Sequence, residues 1–385
     1  MSDTRDVMEA HWVEPGYTAP NREVYPWQWL WDSCFHAIVW AELGCGDRAL
    51  SEIELALSTQ GHLGFVPHMN YHLDPGYGEE LWGRQGSSSI TQPPMYGHAV
   101  AELIRRGITV GEDTVRRAMS GLRFLLEHRE RSDDGLVMLC HPWESGADDS
   151  PRWDDKCPGG FELGRWRAHK SFLVDEIVYS SGGAPLVNPL FRVASAGFNA
   201  LVAFNTFELA SVLSSNDSHG FASEIAKATG IVDALDVRWN GETWADGGDN
   251  VGTSGAARTI DAMLPLLVSA DELAVKAALS QLVDPNAYGA RFGPSGVHRA
   301  EATFDSARYW RGPAWPQINY LLTVAARRNG ATEVAEKLAG ALRDGAAVSG
   351  LAEYWNPDTG EGLGAIPQSW AGLAALANPR VEGAG

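Results

Sequence analysis

The chain is poor in cysteine, poor in cations and without a long apolar run. Its four cysteines (Cys34, Cys45, Cys140, Cys157) form no Cys-x-x-Cys pair and no zinc-ligand spacing. This sets aside zinc ribbons and disulfide-stapled scaffolds, and reduced thiols in a cytoplasmic protein are the expectation. Neither the opening "MSDTRDVMEAHW" nor any later stretch has the apolar run of a signal peptide or a membrane span, so no membrane contact is expected. Thirty Lys and Arg against 49 Asp and Glu leave a net charge of −19. Such a field repels nucleic acid and anionic lipid. The acids of "DDSPRWDD" do not follow calcium-loop spacing; no metal and no cofactor is expected. Low-complexity blocks, Pro/Ser-rich linkers and fixed-period repeats are also missing. Residues 1–385 therefore read as a single domain rather than an open solenoid.

What is present is helix. Apolar residues recur at helical spacing in "SCFHAIVWAEL", "DRALSEIELALSTQ", "MYGHAVAELIRRG" and "EDTVRRAMSGLRFLLEHRE". The pattern returns in "SAGFNALVAFNTFELASVL", "HGFASEIAKATGIVDAL", "ARTIDAMLPLLV", "DELAVKAALSQLV", "WPQINYLLTVAARRNG", "TEVAEKLAGALRDGA" and "PQSWAGLAALAN". Runs of period two are short and few. The helices pair across tight polar turns such as "ELGCGDRAL" and "RRGITVGEDT", while longer irregular stretches separate the pairs. Six helical hairpins closed into a ring put those long stretches at one end. The expected fold is all-α, an (α/α)6 barrel with a cleft between its long loops.

The 15 tryptophans gather in those stretches, in "YPWQWLWDS", "HPWESGADDSPRW" and "YWRGPAW". Indole rings beside carboxylates suit a sugar, whose apolar faces pack on the rings while acids take its hydroxyls. Two loops carry carboxyls fit for acid and base work. "HPWESGADDSPRWDD" crowds Glu144, Asp148 and Asp149 around Gly146, and like charges at that range are expected to raise the pKa of one of them. "AEYWNPDTGEGLG" sets Glu353 before a Pro-Asp-Thr-Gly turn and two further glycines, the mark of a structured loop.

These stretches resemble clan G glycoside hydrolases, which include trehalases and the family 63 α-glucosidases. "ESGADDS" looks like their ESGxDxS motif. "YPWQWLWDSCFHA", "SITQPPMYGHA", "YWRGPAWPQINYLL" and "EYWNPDTGEG" follow the family's order from Tyr25 to Trp370. The resemblance implies the (α/α)6 barrel and hydrolysis of an α-glycoside with inversion. Asp148 is the implied general acid and Glu353 the general base, their carboxyls separated by about 6.5–9.5 Å in such enzymes. It further implies sugar contacts from Tyr25, Trp29, Asp32, Gln92, Trp143, Tyr309, Trp310, Trp315 and Gln368. Asp32 also reads as an N-cap for a helix beginning near Ser33. Arg311 reads as a structural arginine of the loop layer.

Among relatives, the spacing is closest to bacterial glucosylglycerate and mannosylglycerate hydrolases, which makes glucosylglycerate the expected substrate. Arg192 is the implied partner of its carboxylate. Phe198 stands six positions on, where relatives tend to carry tyrosine. Tyr77, in residues 62–91, a possible lid or loop insertion, is another candidate for substrate binding. Asp149 departs from the asparagine usual in the family, and either presses on Asp148 or points into solvent. The alternatives are a trehalase-like hydrolase of a neutral disaccharide and a non-catalytic sugar-binding protein. A small-molecule glycoside is the only partner expected, and the oligomeric state stays open.

Overall fold

A computed structural model describes residues 3–213, 219–248 and 257–377. Twelve helices in these residues form a closed ring. They are α1 (Thr4–His11), α2 (Leu30–Glu42), α3 (Gly46–Ser58), α4 (Tyr96–Arg105), α5 (Glu112–Arg123) and α6 (Ala196–Ala210). The second half holds α7 (Ala222–Asp236), α8 (Ile260–Leu267), α9 (Glu272–Val283), α10 (Pro316–Arg328), α11 (Thr332–Ser349) and α12 (Ser369–Ala377). Even-numbered helices form the inner wall, each touching the next, with α12 against α2 to close it. Each inner helix carries one outer helix on its back: α2 carries α3, α4 carries α5, and so on until α12 carries α1. The architecture is the (α/α)6 barrel.

Sequence composition sorts the two layers. In α2 every residue from Leu30 to Trp40 is buried, and in α6 every residue from Ala196 to Thr206, as a helix walled on all sides requires. Outer α5 buries only Thr114, Ala118, Gly121 and Leu122, a single stripe. Inner helices meet closely where a side chain is missing. A Cβ on Gly97 of α4 would lie 2.4 Å from the Asn205 carbonyl of α6, so glycine sets that approach. Two expected helices, α8 and α12, wind as 3-10 helices. Pro265 inside α8 has no N–H for a regular α-helical bond. Asn378, the last residue of the expected final helix, lies outside the described residues.

Connections from an outer to the next inner helix are long, and they occupy residues 12–29, 59–95, 129–195, 237–259, 284–315 and 350–368. Connections from inner to outer helices are short, so one end of the ring carries nearly all the irregular chain. Two-residue ladders staple these loops, Gln28–Trp29 on Met69–Asn70 and Tyr354–Trp355 on Gly362–Leu363 among them. The third long loop also contains a helix that the sequence reading missed, Leu163–Asp175, capped by the Glu162 carboxylate on the amides of Gly164 and Arg165. All four cysteines are free thiols. No helix among the described residues is long and apolar enough to cross a membrane.

Candidate active site

The loops converge on a cavity of about 240 Å3. Two loops supply its central carboxyls. In the first, His141 starts a 3-10 turn over Pro142–Ser145, accepting from the Trp143 amide at 3.1 Å. The turn ends at Gly146, whose φ is +74° and whose absent Cβ would lie 2.6 Å from the Trp31 ring. Only glycine satisfies both the left-handed backbone and that contact. Asp148 follows, partly exposed to the cavity, with its carbonyl accepting from Trp166 Nε1 at 3.1 Å.

Burial pushes the Asp148 carboxyl up to about 7; Asp149 and Glu353 add to the rise, while Lys170 and a Tyr309 hydrogen bond oppose it. The expected like charge of Glu144 has another use. Glu144 is fully buried in an ion pair with Arg129, 2.6 Å away, and accepts from the Cys140 amide at 2.7 Å. It is a structural strut, and desolvation rather than acid crowding is the main cause of the Asp148 shift. Asp149 does not point into solvent but pairs with Lys170 at 2.7 Å.

The second loop follows α11. Glu353 is buried there, its Oε2 accepting from the Ala365 amide at 2.9 Å, with Tyr25 Oη 3.3 Å from both carboxylate oxygens. Burial raises its pKa, and those two donors hold the rise back because they favour the charged form. Gly364, at φ +70°, makes room: a Cβ there would sit 2.4 Å from Glu353 Oε2. Asp32 also reaches the cavity. It is no N-cap, since α2 begins at Leu30 after Trp29; instead it lies in the first turn, buried, 3.3 Å from Gln368 Nε2. Burial pushes its carboxyl up to about 8.

Aromatic rings build the walls. Trp310 and Trp315 stack in parallel at 3.8 Å, and Trp315 stacks on Tyr354 at 4.5 Å. Tyr309 sits at φ +29°, an uncommon backbone for a bulky residue. Eleven of the thirteen residues singled out from the sequence line this cavity: Tyr25, Trp29, Asp32, Gln92, Trp143, Asp148, Tyr309, Trp310, Trp315, Glu353 and Gln368. Tyr77 and Arg192 do not. Tyr77 is half-exposed in the 62–91 segment and lies tilted against Trp27, ring centroids 4.7 Å apart. Arg192 pairs with Glu130. Arg311 takes the structural place expected of it, held by Asp154 and over the Phe161 ring.

Further lining residues were missed, chiefly Trp31, His68, Met69, Trp82 and Trp370. The alternation in "WQWLW" is a signal for Trp31, whereas His68 and Met69 carry none. Among the described residues, one group has ligand atoms close enough for a metal ion, His98, Glu102 and Glu208. It lies outside this cavity, and Arg105, Arg106 and Arg328 already engage its carboxylates.

A closed ring of helical hairpins that gathers two carboxyls and stacked indoles at its loop end defines a glycoside hydrolase of the (α/α)6 type. Comparison with known proteins makes the assignment particular. The mannosylglycerate hydrolase MGH1-like glycoside hydrolase domain matches residues 25–371, and the chain belongs to that family. A mannosylglycerate hydrolase of Thermus thermophilus is 28% identical over 407 residues, covering 94% of this chain and 96% of the relative. A glucosylglycerate hydrolase of Mycolicibacterium hassiacum is 27% identical over 432 residues, covering 92% of each. A crystal structure of a family 63 mannosylglycerate hydrolase from Thermus thermophilus, in complex with glucose, superposes with a TM-score of 0.80 at 27% identity, covering 97% of this chain and 98% of that one.

Proposed function

We propose that this chain hydrolyses the α-glycosidic bond of a small glycerate glycoside with inversion at the anomeric carbon. Asp148 gives its proton to the glycosidic oxygen as the bond breaks. Glu353 takes a proton from the water that attacks the opposite face, and the free sugar leaves as the β-anomer. One observation carries this reading. Two carboxyls open onto the same aromatic cavity with contrasting supports, Asp148 desolvated to a value near neutrality and Glu353 held by two donors that favour its anion. That is the division of labour an acid and a base need. Asp32 and Gln368 offer hydrogen bonds to sugar hydroxyls, and the stacked Trp310 and Trp315 offer an apolar face.

The aglycone is read from relatives named for mannosylglycerate and glucosylglycerate. A second reading, a neutral disaccharide, has its own observation: no Lys or Arg lines the cavity among the described residues, and Arg192 is engaged by Glu130. Sugar release from glucosylglycerate, mannosylglycerate, trehalose and kojibiose, with the product anomer followed by NMR, separates the two. Fast release from a glycerate glycoside with the β-anomer first is the expected result. Release from neutral disaccharides alone would replace the aglycone, and α-anomer first would reject the inverting pair.

A further inference from the structure

The helix at Leu163–Asp175 has no place in the ring, yet it buries a lysine. Lys170 is 4% exposed, and a buried ammonium needs a counter-charge. Its Nζ lies 2.7 Å from Asp149 Oδ1 and faces the rings of Trp143 and Trp166 at 5.4 and 5.8 Å. One turn earlier on the same face, Trp166 Nε1 holds the Asp148 carbonyl at 3.1 Å. The Lys170 carbonyl in turn is 2.8 Å from His141 Nε2, at the start of the acid's loop. The helix thus grips that loop at His141, Asp148 and Asp149 together.

Asp148 is faced by a small set of charged and titratable groups. Asp149 comes from its own loop, Lys170 from the helix, Glu353 from the loop after α11, and the Tyr25 and Tyr309 phenols from two further loops. Lys170 is the cation among them, and it favours the ionised form of Asp148; the Asp149 carboxylate favours the neutral form. At the proton donor the two charges work against each other.

We propose that Lys170 and Asp149 form a positioning pair for the proton donor, docking the helix on the acid's loop and setting by their charge balance how firmly Asp148 holds its proton. The proposal rests on the reading of Asp148 as general acid and adds two residues that touch no substrate. Lys170→Met leaves a lone negative neighbour, so the alkaline limb of kcat/KM moves up by about one pH unit. Asp149→Asn leaves a lone positive neighbour and moves the limb down by about as much. The double variant returns toward wild type. A purely structural role lowers kcat without moving the limb in opposite directions.

The deciding measurement is the pH profile of all three variants, together with the 13C titration of the Asp148 carboxyl, identified by its absence from Asp148→Asn. Opposite displacements that cancel in the double variant support the pair. Displacements of the same sign, or none, overturn it. Should Lys170→Met fail to fold with Asp149 left alone, Asp149→Asn against the double variant gives the same sign test. Should no glycoside be cleaved by the wild type, the function falls, and the carboxyl titration still decides on the pair.

Discussion

Asp148 and Glu208 are both carboxyls in cavities of the same ring, one at each mouth, and they are driven in opposite directions. Asp148 opens onto a cavity whose lining holds no Lys or Arg among the described residues, and burial lifts it to about 7. Glu208 lies at the C-terminal ends of the inner helices, in a cavity of about 480 Å3 lined by Arg105, Arg106, Arg327 and Arg328. Burial works against its anion too. Its hydrogen bonds with His98 at 2.8 Å and Arg105 at 2.6 Å win, and hold it far below the usual carboxylate range. With Asp148 as the proposed acid, the contrast teaches what separates a strut from a proton donor. A fully compensated carboxylate is fixed as an anion, whereas an under-compensated one keeps a proton to give away.

The largest effect that sharpens this contrast is on turnover. Asp148→Asn should lower kcat/KM by about 10³-fold, within the range for losing a general acid, while Glu208→Gln stays within about twofold. Equal losses would erase the distinction. Next comes stability, read by thermal unfolding across pH. Glu208→Gln should cost about 1–3 kcal/mol, less than a fully buried pair because Arg105 and Arg328 are partly solvated. That deficit starts to shrink as pH falls below the ordinary carboxyl range and closes only as pH falls through the far lower folded value. A depressed folded pKa contributes stability that is full above the unfolded one. Asp148→Asn should do the reverse. The raised folded pKa means wild type loses stability as pH climbs from about 4 to about 7, so the variant's advantage appears there and levels off above. The smallest effect concerns the base. Tyr25→Phe removes a donor to the Glu353 anion, and the acid limb should rise by a fraction of a pH unit while the alkaline limb stays near pH 7. Movement of the alkaline limb instead would exchange the two roles.

The sequence made the walls of the cleft more legible than their support. Motif loops identify Asp148, Glu353 and the indoles because residue types and order are local properties. The inner helices are legible for the same reason, being apolar on every side. Helix α1 was not, since "TRDVMEAH" buries only Val7, Met8 and His11 and reads as a polar start. The Leu163–Asp175 helix was missed because its buried face includes Lys170, which breaks the apolar pattern. Electrostatic partners were the least legible. Glu144 and Asp148 lie four positions apart in one motif, yet Arg129 pairs directly with the first, whereas the cation nearest the second, Lys170, is paired with Asp149. Which acid obtains an arginine depends on packing between distant segments.

Closure of the ring by α12 against α1 and α2 also bears on synthesis. Gln368 precedes α12 and Trp370 lies within it, and both line the cleft beside Asp32 and Trp31 of α2. A ribosome-bound chain that has not yet emitted these residues carries an open arc and a cleft lacking one wall. The cleft is therefore complete only when residues far apart in the sequence, near 30 and near 370, are packed side by side.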